Sequence, residues 1–121
     1  MNKKIITYIL VVFLSGPLLF FSCSRVLVEN ELVFGIEAAQ KDLWDEAIFR
    51  WRKVALSNPQ SAAVHNNLGV AYEKKGLWEE AKKEYELALK LDPDNGYIQS
   101  NYQNFKKSYE LIKKENADEK K

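Results

Sequence analysis

The side chains most able to do chemistry are the one cysteine, the one histidine and three neighbouring glutamates. A histidine binds a metal ion or transfers protons only where other ligands or ionisable groups converge on it. His65 has no second histidine to act with, and Cys23 is far from it in the sequence. We therefore predict that His65 packs inside the fold, and we predict neither a metal site nor a bound cofactor.

The glutamates Glu79, Glu80 and Glu84 could supply paired carboxylates for acid–base catalysis. At helical spacing they fall with Lys83 on the outer side of a helix, where a solvated charged surface is expected. The sequence also lacks a phosphate-binding glycine loop, a nucleophile elbow and a metal-binding motif. The sequence therefore predicts that the protein is not an enzyme.

An apolar stretch near the N-terminus, residues 5–21, follows Lys3 and Lys4. A membrane-spanning helix needs ~20 apolar residues, so this stretch is short for a permanent span. A basic start followed by a short apolar core is typical of a cleaved export signal. We assign residues 1–22 to a signal peptide and residues 23–28 to a short tether.

The end of this stretch, from Phe20 to Cys23, resembles the lipobox of bacterial lipoproteins. Ser22 fits that pattern, whereas Phe20 stands where leucine is usual and Phe21 where a small residue is preferred. The resemblance implies lipidation of Cys23, with a chain such as palmitate, and anchoring in the bacterial cell envelope. The outer membrane's periplasmic face or the cell surface is favoured over the inner membrane. Two alternatives stay open for Cys23: a free thiol after an ordinary signal peptide, or part of an uncleaved anchor.

The charge of the chain is close to neutral, with 18 basic and 17 acidic residues. Without Lys3 and Lys4 the basic count falls to 16, which leaves a formal charge of −1 after cleavage. So neutral a chain gives no electrostatic reason to bind nucleic acid. Membrane association is therefore expected to come from the lipid anchor.

Five positions recur at an offset of 34 residues in the rest of the chain. A period of this length is typical of stacked two-helix units. Apolar residues at helical spacing between the recurring positions predict two amphipathic helices in each unit. The recurring pairs are Gly35 and Gly69, Trp44 and Trp78, Ala47 and Ala81, Trp51 and Tyr85, and Pro59 and Pro93.

The ends of these helices carry recognisable signals. Asp42 and Gly76 occupy the turn within each unit, where a residue of left-handed conformation is expected. Ser61 is the expected N-cap of the third helix, and Asp94 and Asn95 can cap the fifth. The two copies therefore share one helix–turn–helix plan.

Residues 62–95 resemble the tetratricopeptide repeat, and residues 28–61 resemble a degenerate copy of it, with Ala38 where tyrosine is usual and Val54 where alanine is usual. The resemblance implies an all-α fold of two helix–turn–helix units. The next helix, 96–115, has one apolar stripe and is predicted to cap the array. Residues 116–121 are predicted to form a disordered tail. The second unit carries the pattern in Leu68, Gly69, Tyr72, Gly76, Trp78, Ala81, Tyr85, Ala88 and Pro93.

In tetratricopeptide repeat proteins the first helix of each unit lines a concave groove that accepts a peptide or a partner helix. The resemblance implies a groove that is apolar in the first unit and rich in amides further on. Asparagine amides both donate and accept hydrogen bonds, which suits binding of an extended peptide backbone. The family's carboxylate clamp is not reproduced, because Leu32 and Ile36 replace its lysine and asparagine. The candidate partner-binding residues are Leu32, Ile36, Asn66, Asn67, Val70, Lys74, Tyr97, Asn101 and Asn104.

The predicted function is that of a membrane-anchored adaptor that binds a protein or peptide partner, most naturally in assembly of the cell envelope. An alternative is a structural or surface lipoprotein that associates with copies of itself as a homo-oligomer. Two units and a cap are fewer than the three repeats usually needed for a stable array. The apolar residues Leu32, Val33 and Phe34 at its N-terminal end motivate this alternative.

Overall fold

The computed structural model describes residues 28–119, and every regular element in that range is a helix. The all-α prediction is therefore confirmed. The predicted signal peptide, Cys23 and nearly all of the tether lie outside the described residues. The helices are α1 at residues 28–40, α2 at Trp44–Ser57, α3 at Ala62–Lys74, α4 at Trp78–Leu91 and α5 at Gly96–Asp118.

The turns α1–α2 and α3–α4 have the same geometry in both units. Asp42 and Gly76 adopt positive φ angles of 58° and 71°, as their positions in the repeat predict. Leu77 N–H then donates to the Tyr72 carbonyl oxygen at 2.9 Å, and the equivalent bond closes the first turn. This left-handed residue ends the first helix and lets the second helix fold back along it.

Side-chain caps define the starts of α3 and α5. The Ser61 hydroxyl accepts a hydrogen bond from Val64 N–H at 3.4 Å. The Asn95 side chain accepts from Tyr97 N–H at 3.1 Å and from Ile98 N–H at 3.3 Å. Both residues therefore cap their helices as predicted, because each satisfies backbone donors that the first helical turn leaves free.

The two helices of each unit approach closely at a glycine. A β-carbon at Gly35 would lie 2.3 Å from Nε1 of Trp51, and one at Gly69 would lie 2.8 Å from the Tyr85 ring. Trp51 and Tyr85 are both buried. The recurring glycine and the recurring aromatic residue are therefore two halves of one contact.

The fifth helix covers the second unit with an aromatic stripe. Phe105 is fully buried, and its ring centroid lies 5.1 Å from that of Tyr85 and 5.5 Å from that of Tyr109. Trp78 also stacks on Phe105, with ring centroids 6.2 Å apart. This packing supports the predicted capping role of α5.

The C-terminal helix extends three residues beyond its predicted end, so residues 116–118 are helical. No proline or glycine follows Gly96 to interrupt it, and Glu119 N–H donates to the Glu115 carbonyl oxygen at 3.1 Å. Polarity alone therefore does not end this helix. Among the described residues, no helix combines the length and the apolar character that a membrane span requires.

Candidate partner-binding face

A hydrogen bond between two predicted binding residues joins the first helix of the second unit to the capping helix. Nδ2 of Asn101 in α5 donates to Oδ1 of Asn66 in α3 at 3.0 Å. Both side chains are half-buried. The structure thus brings these two amides of α3 and α5 together.

The first unit contributes an apolar part of the same face. Leu32 and Ile36 lie 34 positions before Asn66 and Val70, so the repeat places them at equivalent points of α1. Leu32 is half-buried and its carbonyl oxygen accepts from Trp51 Nε1 at 3.3 Å, whereas Ile36 is exposed. The α1 part can therefore contact an apolar side chain, and the α3 part can contact a peptide backbone.

The remaining predicted residues differ in their accessibility. Tyr97, near the start of α5, is 85% exposed, and Asn104 and Lys74 are exposed too. Asn67 is half-buried. Val70 packs in part against the buried cluster of Ala81, Tyr85 and Phe105, so it contributes to the fold as well.

His65 packs inside the second unit, and both of its ring nitrogens have partners. Nδ1 lies 2.6 Å from Oε2 of Glu84, and Nε2 donates to the Pro59 carbonyl oxygen at 3.0 Å. The side chain of His65 is almost fully buried, and that of Glu84 is 24% exposed. Glu84 is therefore not part of a freely solvated surface, which corrects the sequence-based interpretation of this residue.

The ion pair of the first unit is the repeat equivalent of this contact. Glu31 and Arg50 lie 34 positions before His65 and Glu84, and they form a salt bridge of 3.0 Å. The acidic and basic partners have exchanged helices between the two units. The sequence reasoning missed this pair, although the 34-residue offset contained the signal needed to find it.

Charged neighbours shift the pKa values of several groups in the two units. Lys53 Nζ lies 2.5 Å from Oε1 of Glu31, and together with Arg50 it lowers the pKa of that carboxyl. Burial raises the pKa of the Tyr85 hydroxyl, and Glu73, which accepts its hydrogen bond at 2.9 Å, raises it further. These pairs stabilise the contacts between neighbouring helices.

A separate cavity of about 420 Å³ lies between the start of α4 and the end of α5. Trp78, Tyr109 and Ile112 contribute to its walls, together with the backbone turn at Gly76. None of the predicted binding residues lines it. Within residues 28–119, no three His, Cys, Asp or Glu side chains lie close enough together to hold a metal ion.

These features define an all-α helical-repeat protein with a polar and apolar face built from the first helices of its units. Residues 62–95 match the family described as tetratricopeptide repeat, which is the same segment that the sequence pattern indicates. The second unit of the chain is therefore a tetratricopeptide repeat. Repeats of this family generally mediate protein–protein interactions, so the fold is that of an interaction scaffold.

Two solved structures share this fold with significant sequence similarity. One, titled "MamA AMB-1 P212121", has 32% identity and a TM-score of 0.61, and the match covers 70% of this chain and 45% of that one. The other, titled "MamA D159K mutant 2", has 30% identity and a TM-score of 0.62, and it covers 75% of this chain and 48% of that one. The chain therefore spans about half of each.

Two curated relatives are similar over a shorter segment. Protein O-mannosyl-transferase TMTC4 of Mus musculus is 35% identical over 65 residues, which are 54% of this chain and 9% of that protein. The Homo sapiens protein of the same name is 39% identical over 54 residues, which are 45% of this chain and 7% of that protein. The chain thus spans less than a tenth of the length of these relatives.

Proposed function

We propose that this protein is a non-enzymatic adaptor that is anchored to a membrane of the cell envelope through Cys23. Its partner is a protein segment that binds across α1, α3 and α5. The observation that carries the proposal is the hydrogen-bonded pair of Asn66 and Asn101, which joins α3 to the capping helix α5 in one face. That face offers amides for a backbone and exposed apolar groups on α1 and α5.

The chemistry of the face supports an extended segment as the partner. Ile36 exposes apolar surface on α1 and Tyr97 does so on α5, and the amide of Asn66 on α3 lies between them in the repeat order. Amides bind the backbone of many sequences, whereas the apolar groups select particular side chains. The similarity to the mannosyl-transferase covers 9% of that enzyme, which supports a shared repeat module rather than a shared reaction.

Site-specific photocrosslinking in living cells tests this proposal. A photoreactive phenylalanine analogue replaces Tyr97 on the proposed face or Leu111 near the end of α5, and these native residues are 85% and 61% exposed. We expect a discrete crosslinked protein from position 97 and none from position 111. Position 111 is exposed but lies outside the proposed face, so it is a control for random encounters.

Three outcomes separate the competing functions. A partner protein captured at position 97 alone supports the adaptor. Crosslinking to a second copy of the chain at that position supports the self-associating alternative instead. No crosslinked protein at position 97, in cells where the chain is abundant, would contradict binding through this face.

A further inference from the structure

Two large apolar side chains are exposed on the outer side of α2. Phe49 is 55% exposed and Leu56 is 85% exposed. They are seven residues apart, which is close to two helical turns, so they lie on the same side of the helix. Arg52 and Lys53 lie between them and are exposed as well. We refer to Phe49, Arg52, Lys53 and Leu56 as the α2 face.

The α2 face continues onto α1 through a series of direct contacts. The Lys53 ammonium lies 5.2 Å from the centre of the Phe49 ring and forms a salt bridge with Glu31. Glu31 also binds Arg50, whose guanidinium lies 5.6 Å from the centre of the Phe34 ring. Phe34 is itself 49% exposed. Two ring–cation contacts, joined through the Glu31 carboxylate, therefore link α2 to α1.

The second unit shows that the fold does not need apolar residues at these positions. The repeat equivalents of Phe49 and Leu56 are Lys83 and Lys90, and both lysines are exposed on α4. The same helix in the same architecture is therefore stable with charged residues at those two points. Only the first unit carries the apolar pair Phe49 and Leu56. Because folding does not require this pair, we expect it to contact a surface that the second unit does not contact.

We infer that the α2 face lies against the surface of a lipid bilayer. The inference rests on the membrane anchoring proposed above. Residues 24–27 alone separate Cys23 from the described part of α1, and a stretch of that length reaches about 18 Å when fully extended. The first unit is therefore the part of the repeat domain that follows the proposed anchor directly in the chain.

The composition of the α2 face fits this occupant. Interfacial contacts combine apolar side chains, which enter the boundary between headgroups and acyl chains, with Lys and Arg, which meet anionic headgroups. Phe49 and Leu56 supply the first, and Arg52, which is exposed between them, supplies the second. The charge of Lys53 is shared with Glu31. Long basic side chains also keep their charges in the headgroup layer while their stems stay in apolar surroundings.

Depth-dependent fluorescence quenching on the full chain tests the inference. The chain is reconstituted in vesicles of phosphatidylethanolamine and phosphatidylglycerol that contain a nitroxide-labelled lipid. An environment-sensitive fluorophore is attached at Leu56→Cys or, as the matched control, at Lys90→Cys in the second unit. The unsubstituted chain gives the background from Cys23. We expect quenching several-fold stronger at position 56 than at position 90.

A second variant keeps the result interpretable. Phe49→Lys introduces the residue that α4 carries at the equivalent position, so the helical content is expected to stay unchanged by circular dichroism. In this background, quenching at position 56 should fall towards that at position 90, because Leu56 is already replaced by the labelled cysteine and the α2 face now loses Phe49 as well.

Flotation of the same vesicles separates the two proposals. Equal quenching at both positions, with the chain still floating with the vesicles, would overturn the membrane contact and leave the anchor intact. Loss of co-flotation would overturn the anchor and this inference with it. Disulfide formation between two copies at position 56, with little quenching, would identify a second copy as the occupant and would also overturn the inference.

Discussion

At the scale of the residue, one glycine in each unit determines how closely the two helices approach. Gly35 meets the ring of Trp51, and Gly69 meets the ring of Tyr85, at distances that leave no room for a methyl group. The ring differs between the units, but the small partner does not. The glycine is therefore the stricter requirement of the two. Different aromatic side chains can fill the contact, but the helix backbone on the other side leaves no space for a side chain.

Replacing Gly69 by alanine tests this requirement. We expect Gly69→Ala to lower the free energy of unfolding by about 1–3 kcal/mol, because the new methyl group overpacks the Tyr85 ring. Gly96→Ala is the matched control, since nothing lies within 4 Å of a β-carbon there. That change should be neutral or stabilise by up to about 1 kcal/mol through helix propensity. Urea denaturation of both variants would refute the argument if it ranked them in the opposite order.

The contact between His65 and Glu84 shows where sequence reasoning stopped at this scale. The turn residues Asp42 and Gly76 were predictable, because local backbone geometry alone restricts their types. The partner of His65 was not, because the distance between α3 and α4 side chains depends on how the helices pack. The sequence showed that His65 belongs inside, but it did not show which charge would meet it.

At the scale of the element, the fifth helix depends on a single residue at its start. The Asn95 side chain accepts hydrogen bonds from the backbone N–H groups of Tyr97 and Ile98. It also donates to the Asp92 carboxylate at 2.9 Å, which ties the end of α4 to the start of α5. Because α5 buries the aromatic cluster around Phe105, the cap influences the whole second unit.

Removing this cap should destabilise the domain measurably. We expect Asn95→Ala to cost about 1 kcal/mol in the free energy of unfolding, since two helical donors lose their acceptor. Asn95→Ser should cost less, because serine already caps α3 in the same way. Thermal unfolding followed by circular dichroism compares the two. Equal losses in both variants would mean that the bond to Asp92, and not the cap, is what matters.

At the scale of the whole molecule, tyrosine hydroxyls link α3 to α4 within the second unit and link α4 to the capping helix. Burial raises the pKa of the Tyr85 and Tyr102 hydroxyls, and their glutamate partners raise it further. The hydrogen bond to Glu79 is the main cause of the raised pKa of Tyr109. The folded chain therefore holds these three phenolic protons more tightly than the unfolded chain does.

This difference predicts loss of stability in alkali. Tyrosine in an unfolded chain titrates near pH ~10, so below that pH both states keep the proton and the stabilising contribution is complete. Above it the unfolded state ionises first, and stability falls as the pH rises towards the folded pKa. We expect the urea midpoint to be lower at about pH 11 than at about pH 8. This decrease should be smaller in Tyr85→Phe, which lacks the hydroxyl. An identical pH dependence in that variant would exclude Tyr85 as a cause.

The helix order and the period of the molecule were predictable at this largest scale, but the division of the surface was not. The recurring residues located both units because they repeat a packing requirement, and a single apolar stripe located the cap. Phe49 and Leu56 are apolar in type, although their repeat equivalents are Lys83 and Lys90. The packed structure shows that both apolar residues are exposed.

The exposed side of α5 limits how many partner segments the described repeats can bind. Gln103 and Lys106 occupy the positions in α5 that Gly69 and Tyr72 occupy in α3, and both are exposed. A further helix cannot approach α5 as α4 approaches α3, because a long side chain stands where close approach needs a glycine. Residues 28–119 therefore present one such face, and under the adaptor function proposed above each copy would bind one partner segment. Gathering several partners at one place would then require several copies of the chain side by side.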